Sequence, residues 1–130
     1  MKNKLPKISE KEKDIMLVLW RSNEPLTATA LAEKGDQLNI NTVQVGLRNL
    51  LKKNYIEVAD IVYSRTVLTR CYKPIVSAEQ FAADQIQTIR LNTLNFTTLN
   101  FIDHLLKNDD TDILDELENM IRQKKEQEDD

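Results

Sequence analysis

The spacing of apolar residues changes three times along the 130-residue chain. Behind Ser9-Glu10-Lys11-Glu12, a capping-box pattern, Ile15, Met16, Val18, Leu19 and Trp20 form a broad apolar face at helical spacing, which predicts a helix to about Arg21. Pro25 disfavours helix at Glu24. Thr27 then caps a short second helix through Leu31 and Ala32, stopped at Gly35. A third helix follows, with Asn41 as the expected cap and Gln44 three residues on. At ~100° per residue, Val43, Leu47, Leu50 and Asn54 share one side of it, with Leu51 beside them. Asn41, Val45, Arg48 and Lys52 point the opposite way. Gly46 lies between the two faces. Glycine costs ~1 kcal/mol in a helix interior, so close packing by a neighbouring helix is the expected reason for it.

The period then shortens. Tyr55 to Val58, Ile61 to Tyr63, Thr66 to Thr69 and Cys71-Tyr72 are β-branched and aromatic with partial alternation. They predict a two-stranded hairpin with Ser64-Arg65 near its middle. No Asn-Gly or Asp-Gly fixes the turn, so the register stays open. Pro74 ends the hairpin, and Ser77-Ala78-Glu79-Gln80 starts a fourth helix. Apolar residues continue through Phe81, Ile86, Ile89, Leu94, Phe96, Phe101, Ile102, Leu105 and Leu106, up to a break at Asn108-Asp109-Asp110. A fifth helix is expected from Thr111, with Ile113, Leu114, Leu117, Met120 and Ile121 on one face, and the final KKEQEDD is expected to fray. The fold class is mainly α with a small β-hairpin.

Composition agrees: aromatics are 5% and only two glycines occur, which favours helix over an all-β fold. No apolar run reaches the ~18 residues of a membrane span, and MKNKLPKISEKEK carries no secretory h-region. Cys71 is the sole cysteine, so no internal disulfide can form and a cytoplasmic location is expected, with no membrane contact. Charge is divided. Residues 1–75 hold thirteen Lys/Arg and eight Asp/Glu, net +5, whereas residues 76–130 hold five and thirteen, net −8. The first part suits a polyanion and the second does not. A single His104 and a single Cys71 cannot build a zinc site of the usual kind. There is no phosphate-cradling glycine loop and no nucleophile elbow. We expect no enzyme activity, no metal and no cofactor.

Three helices followed by a hairpin is the order of a winged helix-turn-helix DNA-binding domain, placed at 1–75, and a C-terminal helical region follows at 76–130. In that architecture the third helix enters the major groove. Arg pairs with guanine there, and Asn or Gln with adenine. The candidate DNA-binding residues on this helix are Asn41, Thr42, Gln44, Val45, Arg48, Asn49, Lys52 and Lys53, the last two suited to backbone phosphates and Thr42 to a phosphate at the helix N-terminus. Arg65 and Arg70 are the basic residues of the wing. The alternative reading is a winged-helix protein-interaction module without DNA binding. The apolar residues of the acidic half need cover, and two-fold pairing would bury Ile86, Ile89, Phe96, Phe101, Leu105, Leu117, Met120 and Ile121.

Three stretches resemble the penicillinase and methicillin-resistance repressor family of bacteria, which also includes copper-responsive repressors. They are "ISEKEKDIMLVLW", ending at Trp20; "NTVQVGLRNLLKKNYI", with its Thr-Val and leucine pair; and "YKPIVSAEQF", at the end of the wing. The resemblance implies a winged-helix transcriptional repressor that forms homodimers through its C-terminal helices and binds palindromic double-stranded operators. It places Thr42, Gln44 and Val45 toward DNA, with Arg48 and Asn49 after them. Val45 and Asn49 stand where members often carry Thr and Arg, and Val58 to Arg70 is longer than the usual wing. The Cys-x-Cys pair of the copper-responsive branch is absent. The penicillinase branch is released from DNA by a regulatory protease cutting an Asn-Phe bond. "TLNFTTLNFI" offers two candidates, Asn95-Phe96 and Asn100-Phe101.

Overall fold

The computed structural model describes residues 4–107 and 112–128. The elements run α1 (Glu10–Arg21), β1 (Leu26–Thr27), α2 (Ala28–Lys34), α3 (Ile40–Lys52), β2 (Ile56–Ser64), β3 (Val67–Pro74), α4 (Ala78–Asn92), α5 (Thr98–Lys107) and α6 (Asp112–Glu128). They form two compact units, 1–86 and 87–130. The chain is a winged helix in its first unit and helical in its second.

Helix ends follow side-chain chemistry. At α1 the capping box is complete: Glu12 N donates to Ser9 Oγ and Ser9 N donates to Glu12 Oε1, both at 3.1 Å. Thr27 caps α2 by accepting from Ala30 N at 3.1 Å. Gly35 ends that helix in extended geometry (φ −82°), so its role is spatial: a Cβ there would collide with the side chain of Leu38. The cap of α3 is Asn39, not Asn41; Asn39 Oδ1 accepts from Thr42 N at 2.8 Å. Buried Leu38 before the cap and buried Val43 after it hold the chain's entry angle as a hydrophobic staple does, and this selects Asn39. Asn41 is left inside the first turn with its side chain exposed. At the other end Asn54 turns left-handed (φ 62°), Asn54 N donates to Leu51 O at 3.1 Å and Tyr55 N to Leu50 O at 3.0 Å, a Schellman stop.

The hairpin closes through Arg65-Thr66 between paired Ser64 and Val67, with Arg65 at φ 62° where glycine is usual. A bulge separates Val58 from Asp60. β1 adds a third strand, pairing Leu26 with Tyr72 and Thr27 with Cys71, in the order β1-β3-β2. Only two residues long, it carries no alternation from which it could be foreseen.

Fully buried Ile15, Met16, Leu31, Val43 and Leu50 centre the core of the first unit. Trp20 Nε1 donates to Val76 O at 2.9 Å, and the Trp20 and Phe81 rings lie 5.6 Å apart. These contacts draw the start of α4 into the first unit, so the division falls after Ile86 rather than after the hairpin. An extended N-terminal strap crosses the same region. Leu5 N donates to Asp84 Oδ1 (3.1 Å), Tyr55 Oη to Pro6 O (2.6 Å) and Lys53 Nζ to Lys7 O (2.8 Å).

In the second half, the single long helix expected from Ser77 is two helices. Residues 93–97 connect α4 to α5, and Thr97 Oγ1 accepts from Asn100 N at 3.3 Å to cap the new start. Apolar Leu94 and Phe96 hid this break, because they continue the hydrophobic run through a turn. The Phe96 and Phe101 rings meet at 5.8 Å. The expected break at Asn108-Asp109-Asp110 lies outside the described residues. α6 stays helical to Glu128, through most of the segment expected to fray, with an i,i+4 pair between Arg122 and Glu118 (3.2 Å).

A Cβ on Gly46 would run into Ile15 Cδ1, so the side chain of Ile15 packs directly on the α3 backbone here. Gly46→Ala should gain ~1 kcal/mol of helix propensity but lose ~1–3 kcal/mol to overpacking, for a net loss. Ile15→Val removes the obstructing methyl. In that background Gly46→Ala should become neutral or stabilising. Urea unfolding of the four proteins measures this, and equal effects of Gly46→Ala in both backgrounds would refute the contact.

Candidate nucleic-acid interface

α3 has two sides because its period matches its burial. Val43 and Leu50 are wholly buried and Leu47 is 2% exposed, all against the core. Asn41, Gln44, Val45, Arg48 and Lys52 are exposed, and Thr42 is half-buried. Asn39 holds the first turn by its cap on Thr42 N, and the Asn41 side chain on that turn is exposed.

The wing joins this face on one side. Gln44 and Arg48 share a cleft with Leu68, Thr69, Arg70 and Tyr72 of β3. Two expected base-reading side chains and one expected wing cation are thus brought together. Arg65 is not with them; it lines a separate shallow cleft with Thr27, Thr29, Ala30 and Glu33 beside α2.

Two of the expected interface residues have turned inward. Asn49 Nδ2 donates to Glu12 Oε2 at 3.2 Å, and Lys53 Nζ pairs with Glu12 Oε1 at 2.7 Å. Glu12 is only 5% exposed. Burial alone would raise its pKa. The hydrogen bonds from Lys53, Ser9 N and Asn49, with the Lys53 charge, outweigh burial and hold the carboxyl below its ordinary value. Periodicity gave Asn49 and Lys53 a polar direction, but not the carboxylate within their reach. The signal for Glu12 was present: it precedes Ile15 and Met16 by three and four residues, on their buried face. Tyr55 was read only as a strand residue. Burial, then the charges of Asp84 and Glu12, push its phenol up, so it remains a donor to Pro6 O.

The family model described as penicillinase repressor matches residues 8–123. The chain belongs to the penicillinase repressor family. The repressor is therefore a DNA-binding regulator of transcription. No curated protein sequence matches it significantly. Among solved structures it is similar to the adhesin competence repressor (AdcR) of Streptococcus pyogenes, at 16% identity and a TM-score of 0.43, over 93% of this chain and 80% of that one. It is also similar to the Giardia lamblia Hop2-Mnd1 complex, at 19% identity and a TM-score of 0.38, over 92% and 78%.

The apolar residues expected at a dimer contact have little cover within the repressor. Ile89 and Leu105 are 49% exposed, Ile121 50% and Met120 62%. Ile86, Phe96, Phe101 and Leu117 are half-buried. The Asn95-Phe96 bond lies in the connection between α4 and α5, whereas Asn100-Phe101 is inside α5. No helix among the described residues is long and apolar enough to cross a membrane.

Because the folded pKa of Glu12 is depressed, its network contributes stability above the ordinary value of 4.5 and loses it as pH falls through the lower folded value. Glu12→Gln should cost ~1–3 kcal/mol at neutral pH. The gap to the native chain should narrow as pH drops below 4.5. Urea denaturation at a series of pH values reads this, and a gap independent of pH would remove Glu12 from the role.

Proposed function

We propose that the repressor is cytoplasmic and acts as a homodimer on a palindromic operator, laying one α3 in the major groove of each half-site. The observation that carries this reading is the row of exposed Asn41, Gln44, Val45 and Arg48 on a helix whose other face is locked into the core, in line with Arg70 of the wing. Gln44 and Arg48 read base edges. Lys52, Thr42 and Arg70 meet phosphates, and Arg65 lies to one side. Asn49 and Lys53 act as struts, since their side chains are held on Glu12 and, for Lys53, on Lys7 O as well.

The test is selection of genomic fragments by the purified chain. A short inverted repeat supports the reading, while no enrichment would favour the protein-interaction module. On the selected repeat, Gln44→Ala and Arg48→Ala should each cost ~1–3 kcal/mol and relax specificity. Lys52→Ala should weaken all duplexes alike and flatten the salt slope by about 0.9. Lys53→Ala should lower stability and leave the slope in place. Anisotropy titrations at several salt concentrations separate these patterns; uniform losses across all four variants would overturn the assignment.

The dimer rests on a separate argument. Neither α4 nor α5 buries a residue fully, and residues 76–130 carry thirteen carboxylates against five Lys/Arg. A second copy covers the first without bringing a polyanion near that charge. Pairing sets the two α3 helices ~34 Å apart or a multiple of it. In sedimentation the full chain should be dimeric at micromolar concentration, and residues 1–86 should be folded, monomeric and weakly binding. A full-length monomer would contradict the pairing. For release, the candidate partner is a regulatory protease, and Asn95-Phe96 is the bond open to it, because a helical bond such as Asn100-Phe101 must unwind first. The cut would forfeit the second half-site and its effective concentration. Persistence of the intact chain while target genes are induced would exclude this route.

A further inference from the structure

On the outward side of α3 two exposed side chains cannot make a hydrogen bond: Ile40, at the helix start, and Val45, on its polar face. Val45 is 51% exposed at the middle of that face, with Asn41 a turn before it and Arg48 a turn after. A scattered exposed valine needs no explanation, but this one lines a notch. Lys11, Asn41, Thr42, Gly46 and Asn49 line it too, and Glu12 closes it. Gly46 adds only backbone to this lining, since the Cβ it lacks would meet Ile15 Cδ1, so Val45 supplies the apolar wall of the notch.

The major groove presents one apolar group, the 5-methyl of thymine; every other feature of a base edge there is a donor or an acceptor. A polar edge set against Val45 would lose its water without gaining a partner, a cost of ~1–3 kcal/mol. A phosphate gains nothing there either, because its oxygens would lose water against an isopropyl group that has no donor. We propose that the notch of Val45 and Gly46 receives the methyl group of one thymine in each half-site, making Val45 a specificity-determining residue. Asn41, beside it, is placed for an adjacent adenine. The inference rests on the reading of α3 as the base-reading helix, and it adds a base identity that the polar residues alone do not give.

The experiment uses the full-length chain and the duplex it selects from genomic fragments. Each thymine of that duplex is replaced in turn by deoxyuridine, which removes the methyl and nothing else. Burying one methyl-sized group contributes ~0.8 kcal/mol, so one substitution per half-site should weaken binding about fourfold, and both together about fifteenfold. Val45→Ala should bind the native duplex more weakly and no longer distinguish thymine from uracil at that position. Its site is exposed and alanine favours helix, so thermal unfolding should match the parent. Three results would overturn the inference: no thymine whose methyl matters, equal discrimination by Val45→Ala, or a methyl effect that follows Gln44→Ala instead. In each of these the repeat is still bound, so the reading of α3 survives. If no duplex is selected at all, both fall together.

Discussion

A carboxylate taken out of water must be met by donors, or its desolvation costs several kcal/mol. Glu12 is in that position, and its donors come from two places far apart in sequence: Ser9 at the start of α1, and Asn49 and Lys53 toward the end of α3. The pairing therefore fixes the rotation of α3 about its own axis. A helix turns ~100° per residue, so a slip of one position would carry Arg48 and Val45 away from their common face. Close packing at Gly46 sets the separation of the two helices, and the Glu12 bonds set the angle at which the outer side chains are presented. Between them, one steric contact and one buried charge decide what the exposed face of α3 can meet.

Much of this was visible in the order of residues. The apolar stripes of α1 and α3 and the cap at Thr27 follow from spacing alone, because each depends on neighbours within two turns; at Gly46 spacing announced a close neighbour but not that it is Ile15. What escaped depends on groups distant in sequence or on a choice between near-equal options. Asn39 and Asn41 are both good caps, and burial of Leu38 selects between them. β1 exists because Cys71 and Tyr72 offer it a free edge. The hairpin turn uses Arg65 at positive φ without the glycine that would have announced it. On the recognition face, the inward diversion of Asn49 and Lys53 was hidden because a helical wheel gives a direction and not a reach, and Glu12 lies 37 and 41 residues away from them.

The two units divide their physical tasks by charge as well as by shape. Lys and Arg outnumber Asp and Glu across residues 1–75, while acidic residues accumulate in α6 among exposed apolar side chains. A like-charged surface resists a polyanion and still tolerates apolar pairing, since screening within ~8 Å at physiological salt weakens repulsion more than it weakens burial. An excess of carboxylates there thus discourages non-productive DNA contact without forbidding self-association.

The N-terminal strap has a consequence for how the chain is made. Leu5 bonds Asp84, a partner 79 residues later, while Pro6 and Lys7 bond Tyr55 and Lys53. During N-to-C synthesis the bond from Leu5 can form only once Asp84, in the opening turns of α4, has left the exit tunnel. Until then the strap can be held by Tyr55 and Lys53 alone, with its Leu5 end untied. Synthesis from N to C thus ends this unit's folding with a clasp, closed only when the start of the link to the second unit already exists.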